Sequence, residues 1–290
     1  PMSIELLALL TAFSYATSNI AARWGLRYST PNTAVLFSLF MHAVGLSAIV
    51  LLTQGIPTVP RVALNLVVIT GVLQTILRSC HYLAISKVGV SRAVTLRNTH
   101  PMLTVLIGVT VLGEQTNALN LVGVVLIVGG TALTSWRMDE QIAGFRRWYL
   151  LLPVATSVMT STVHPIRRFA MTLAGEPLFF AALVGVVSLG CFTSYLALPL
   201  RRDPIVWHRK ALLPFAISGF GETMAILLLF FALESGPVVV VSPITATSPV
   251  WTVLLASILL RRIENTTPAV VFGTLLVVGG AICVTLGRYL

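Results

Sequence analysis

The sequence predicts an all-α integral membrane protein: ten transmembrane helices arranged as two inverted five-helix repeats around a central cavity. Three observations predict it. Of the 290 residues, 56% are hydrophobic and only 10% charged, and the mean hydropathy is +0.93. A water-facing surface ordinarily needs about a quarter charged residues, so most of this surface must face lipid. The apolar residues also fall into ten runs near the ~20 residues that a membrane-crossing helix requires. Finally, a set of residues in the first half recurs, in order, in the second.

The runs cover approximately 4–26, 32–53, 62–86, 90–112, 117–136, 147–173, 177–199, 211–233, 237–260 and 266–287. Turn-forming stretches such as Ser29-Thr30-Pro31-Asn32, Gly175-Glu176-Pro177 and Gly236-Pro237 separate them. Connections are short, so no soluble domain is expected between spans.

The repeat is carried by residue types at matched spacing. Glu114, Gly123 and Gly129-Gly130 mirror Glu264, Gly273 and Gly279-Gly280; Pro101 and Thr104 mirror Pro249 and Thr252; Gly71, Gln74 and Thr75 mirror Gly219, Glu222 and Thr223. Two units follow, 4–136 and 147–287. Each holds an odd number of spans, so the second unit inserts upside down relative to the first. Inverted units of this kind characterise secondary transporters, which bind substrate near the midplane where the halves meet.

The formal net charge of +10 does not point to nucleic acid. Basic pairs such as Arg146-Arg147, Arg201-Arg202 and Arg261-Arg262 lie between apolar runs, where they orient helices and meet lipid headgroups. Counted by side, Lys and Arg concentrate in the odd-numbered connections. Positive charge stays on the cytoplasmic side, so both termini are expected outside the cytoplasm of a multi-pass protein of the bacterial inner membrane. Cys80, Cys191 and Cys283 lie inside apolar runs at unrelated spacings, which suits packing rather than disulfides or metal. No cofactor is expected. The expected partners are a small-molecule substrate, membrane lipids, and a proton or counter-substrate.

Two arginines carry the chemistry. Arg78 and Arg97 fall within the third and fourth runs, and each costs about 2.5–3.5 kcal/mol at the bilayer centre. They must therefore face water or a counter-charge. Gln74, Arg78 and His81 recur at the spacing of one helix face, with Tyr82 beside them. Arg97, His100 and Thr104 do the same on the next span, with Asn98 beside Arg97. The acidic counterpart is Glu222, equivalent by the repeat to Gln74. It can either neutralise an arginine internally or hold an ammonium group or a proton. Pro101 and Pro249 deprive the carbonyls of Arg97 and Thr245 of their helical donors, and such freed carbonyls line cavities. They are the expected hinges, with Thr245 and Ser248 facing the Arg97 span. His164, ahead of Pro165, shares a face with Ser157, Ser161 and Arg168 and is a further candidate. Glu114 and Glu264 are expected to cap helices, and the glycine pairs to pack helices closely.

These residues resemble a known group. The small-residue first helix (Tyr15-Ala16-Thr17-Ser18-Asn19, then Arg23), the helix ending Tyr82-Leu83-Ala84-Ile85-Ser86, the proline-bearing fourth span and the Glu-x8-Gly-x5-Gly-Gly fifth span are similar to the drug/metabolite transporter superfamily, in its doubled EamA-type form. The resemblance implies ten helices and a central cavity lined by the first, third and fourth helices of each half. It also implies carriage of small metabolites, and adds Tyr15 and Asn19 to the candidate wall. It implies a cytoplasmic N-terminus, opposite to the charge bias. Arg78 and Arg97 depart from the family's usual pattern, so the substrate does not transfer from relatives.

The expected function is secondary transport of a small anionic or zwitterionic metabolite, of the amino-acid or organic-acid type, by alternating access. The alternatives are export of small cationic drugs with Glu222 as the cation site, a lipid flippase, or an intramembrane enzyme. No HExxH or GxSxG motif supports enzymatic chemistry, and no GxxxxGK[ST] motif supports direct ATP drive.

Overall fold

The computed structural model describes residues 3–135, 146–198, 204–259 and 268–287, and these residues are helical apart from short connections. Helix α1 (Ile4–Gly25) begins where the Ser3 hydroxyl accepts from the Leu6 amide, with Glu5 in its first turn and Arg23 in its last. That is the charge order a helix dipole favours. Thr30 opens α2 (Pro31–Thr53) in the same way, capping the Thr33 amide, with proline at the first helical position. Helix α3 (Arg61–Val88) stops at Gly89, whose φ of +94° excludes most side chains, and α4 (Val90–Arg97) starts immediately after it. Then come α5 (His100–Leu112), closed by Gly113 in the left-handed conformation, and α6 (Ala118–Ser135). The second half begins with a 3₁₀ turn at Arg147–Leu150. It continues through α7 (Leu151–Leu173), α8 (Pro177–Ala197), α9 (Arg209–Ser235), α10 (Val238–Thr245), α11 (Ser248–Leu259) and α12 (Pro268–Gly287).

By length and hydropathy, α1, α2, α3, α8 and α9 can each cross a membrane. Two of the expected spans are corrected. Runs 90–112 and 237–260 are not single helices: the first breaks at Asn98–Thr99 and the second at Ala246–Thr247. Both breaks lie just ahead of Pro101 and Pro249. A proline ring offers no amide hydrogen and crowds the preceding turn, so the helix restarts instead of bending through.

Packing joins the halves span by span. Near its middle α1 sets Ser18 against Ser218 and Gly221 of α9, and its start meets Gly236 beyond the end of α9. His42 of α2 reaches the Ala181 carbonyl of α8, while Gln54, past the end of α2, reaches Glu176 ahead of α8. Helix α3 packs on α7, with Gln74 against Arg167. The broken spans cross each other: Asn98 meets Ser248, and Gly108 of α5 lies against Val238 and Val239 of α10. Helix α6 packs on α12, where Gly123 faces Gly280 and Gly130 faces Gly273. Between α1 and α9, α2 and α8, the broken segments, and α6 and α12, rising numbers meet falling numbers, so these elements run antiparallel. The pattern (first with third, second with second, fourth with fourth, fifth with fifth) is unchanged when the halves are exchanged.

The glycine pairs divide. A Cβ on Gly123 or Gly130 would lie 2.6 Å from a carbonyl oxygen of α12, whereas at Gly129 and Gly279 nothing stands within 4 Å. Successive helical residues point about 100° apart, so only one of each pair can face the partner. The expectation that both pack is corrected.

Candidate functional site

The polar residues that composition makes so scarce gather at the meeting of these helices. Arg78 and Arg167 are each 1% exposed, Glu222 3% and Arg97 7%. None of these groups projects into the surroundings.

One cluster is built on Arg78. Its guanidinium donates to the Ser38 hydroxyl at 2.9 Å, to His42 Nδ1 at 3.4 Å and to Glu222 Oε1 at 3.5 Å. His42 Nε2 lies 3.0 Å from the Ala181 carbonyl, which can only accept. The ring proton therefore sits on Nε2, and Nδ1 is free to accept from Arg78. The second oxygen of Glu222 accepts from Ser18 at 3.4 Å, and Ser18, Ser218 and Tyr82 continue the network at 3.1 Å per step. Arg78 and Glu222 therefore neutralise each other, the internal pairing that the sequence left open.

A second cluster surrounds a closed cavity of about 10 Å³, room for roughly one water. Its wall is Tyr15, Asn19, Val94, Arg97, Asn98, His100, Thr160, His164, Thr245 and Ser248. Among the described residues Arg97 has no carboxylate partner. It lies 5.2 Å from the centre of the Tyr15 ring and 3.4 Å from His81 Nε2. The same His81 nitrogen lies 2.8 Å from Asn19 Oδ1. One nitrogen cannot both donate and accept, so the Asn19 oxygen and the Arg97 donor compete for it. Asn98 Nδ2 donates to Ser248 across the two helix breaks at 2.9 Å, and His100 Nδ1 meets Ser242 at 3.2 Å. The His100 and His164 rings meet edge to face at 5.1 Å. Across the two clusters, the nitrogens buried without a hydrogen-bond partner are Arg78 Nε, Arg97 Nε, Arg167 Nε, His81 Nδ1 and His164 Nδ1. Native interiors rarely leave such atoms orphaned unless something else satisfies them.

The candidates from sequence are thus distributed over two adjoining clusters. Tyr15, Asn19, Arg97, Asn98, His100, His164, Thr245 and Ser248 line the cavity; Arg78, Glu222 and Tyr82 belong to the paired cluster; His81 contacts Asn19 and Arg97, and Gln74 contacts Arg167. Pro101 and Pro249 sit at the two helix restarts.

Arg167 was not among the candidate site residues, although the sequence offers it, with Arg23 and Arg168, as a span-edge arginine for a cavity. It is fully buried, donates to Gln74 Oε1 at 2.9 Å and lies 5.1 Å from the centre of the Phe230 ring. A signal existed: the spacing that relates Gln74 to Glu222 also relates Asn19 to Arg167. Its neighbour Arg168, expected on the His164 face, turns away. It donates to the Leu233 and Glu234 carbonyls that end α9, and stands 3.6 Å from Glu114. Glu114 accepts from the Val238 and Val239 amides at 2.9 and 3.0 Å, capping α10 in the opposite half. Its counterpart Glu264 lies outside the described residues. Ser38, Thr160 and Ser218 also escaped notice, since single polar residues on apolar helices carry no spacing signal.

A model of the EamA-like transporter family matches residues 2–136 and again 147–286. A protein of known crystal structure superimposes with a TM-score of 0.75 at 18% identity, over 98% of this chain and 98% of its own, a likeness of fold. No curated protein matches the chain.

Proposed function

We propose that this chain, which belongs to the EamA-like transporter family, is a secondary transporter that moves a small anionic or zwitterionic metabolite, of the amino-acid or organic-acid type, by alternating access. Family membership makes it an integral, multi-pass membrane protein of the drug/metabolite transporter type. The antiparallel, exchange-symmetric pairing of its helices supports ten crossings in two inverted halves.

One observation carries the substrate reading: Arg97 is buried at the crossing of two broken helices with no carboxylate beside it. An unpaired guanidinium at that depth is costly, and an anionic ligand offsets the cost. Asn98 and Ser248, one from each half, stand where they can position that ligand. The cavity is smaller than any metabolite, so binding requires its walls to part. The interrupted helices supply unstrained points for that movement. Export of cations is less well supported, because Glu222 is already engaged by Arg78 and Ser18. If transport is coupled to a proton, Glu222 is the carboxylate to carry it.

Purified protein in proteoliposomes, challenged with labelled organic acids, amino acids and cationic dyes, tests this reading. Arg97→Ala should cut uptake of the preferred substrate ~10–100-fold, the worth of a charged hydrogen bond, in protein that still purifies folded. Unchanged uptake by the variant, or preference for the cationic dyes, would sink it.

A further inference from the structure

We infer that the substrate is a small dianion, a dicarboxylate or a phosphate monoester, and not a zwitterion. The inference rests on the transport reading above and narrows it.

Charge in a buried site must balance. Three guanidinium groups are buried here: Arg97 in the cavity wall, Arg78 against Glu222, and Arg167 against Gln74, one turn along α3 from Arg78. One carboxylate answers them. Among the described residues the other acids lie at helix ends or in connections: Glu5 in the first turn of α1, Glu114 capping α10, Glu176 ahead of α8 and Glu234 at the end of α9. Glu222 is spent on Arg78. Arg97 and Arg167 are left as two buried positive charges with no carboxylate in hydrogen-bonding reach. They hold only neutral partners, His81 and Tyr15 for Arg97, Gln74 and Phe230 for Arg167. Any proton taken up by the neighbouring histidines would enlarge the excess. Buried charge is tolerated when opposite charge enters with it, and two negative charges on one small molecule match two uncompensated guanidiniums.

The same balance disfavours an ammonium group. A zwitterion would bring one negative charge where two are called for. Its positive end would find no free carboxylate and would lie in the field of arginines. Arg97, on the wall, is the contact residue. Arg167 lies one turn along α7 from His164, itself in the wall, and sets the total charge that the ligand must match.

The test uses the full chain in proteoliposomes and follows labelled succinate, glycerol 3-phosphate, isethionate and glycine: two dianions, a monoanion and a zwitterion. At least one dianion should enter about tenfold faster than isethionate or glycine. The two dianion arms distinguish a dicarboxylate from a phosphate site. Arg167→Gln, which removes one charge from behind the wall, should lower the dianion-to-isethionate rate ratio several-fold, while Arg167→Lys should preserve it. A merely structural Arg167 would alter all four rates alike. Glycine or isethionate entering as fast as the faster dianion would overturn the inference and leave the transport reading standing. So would an unmoved ratio in Arg167→Gln. Entry of neither dianion, in protein shown to be folded by circular dichroism, would also overturn it; the wider substrate panel then judges transport separately.

Discussion

The arginines of this protein are not interchangeable, and the difference lies in what each one touches. Arg78 is paired with Glu222 at 3.5 Å and further held by Ser38 and His42. Removing one member of a buried pair leaves the other charge uncompensated, at a cost of about 3–5 kcal/mol, whereas removing both is often close to neutral. Glu222→Gln should therefore lower the thermal midpoint in detergent by several degrees, and Arg78→Met in the same chain should restore most of the loss. If the double variant is no more stable than the single one, the pair is not the unit described here. Arg167 and Arg168, adjacent in sequence, make the same point. The first enters the site at Gln74, and the second secures the carbonyls that end α9. Adjacent helical residues diverge by about 100°, enough to send one inward and the other to the helix ends.

At the scale of elements, two devices recur in both halves: broken helices that cross near the site, and glycine-mediated contact between the fifth spans. The second makes a sharp prediction because it comes with its own control. Gly130 faces the Gly273 carbonyl with no room for a methyl group, while Gly129, one residue away, faces open space. Gly130→Ala should separate α6 from α12 and destabilise the protein by about 1–3 kcal/mol, the usual cost of overpacking. Gly129→Ala should be neutral or slightly stabilising, since alanine favours a helix over glycine. Thermal unfolding of the two variants checks this, and equal midpoints would contradict the packing. The cap on α10 shows how elements are joined across the repeat. Glu114 follows α5 of the first half yet satisfies the opening amides of a helix in the second.

For the whole molecule, the charge bias predicts which end faces the cytoplasm. Gln54, after α2, and Arg209, at the start of α9, lie at opposite ends of the bundle. With Cys80, Cys191 and Cys283 replaced, an impermeant thiol reagent added to intact cells should label Gln54→Cys and spare Arg209→Cys. The reverse pattern would place the termini in the cytoplasm without altering the site. How much of this could be read in advance follows from the range of each signal. Hydropathy, turn residues and repeat spacing act over a few residues to a few turns. They sufficed to mark an apolar, helical chain with two family repeats and the two arginines, Arg78 and Arg97, that its packing buries. They also marked the prolines, though not that each would break its helix in two. Partner identity is a different kind of information. Arg78 finds Glu222, Arg167 finds Gln74, and Glu114 finds Val238 across separations that no helical period encodes. Only the tertiary packing decided which arginine lies beside a carboxylate and which do not, because in a buried site a charge is defined by the groups within a few ångströms of it.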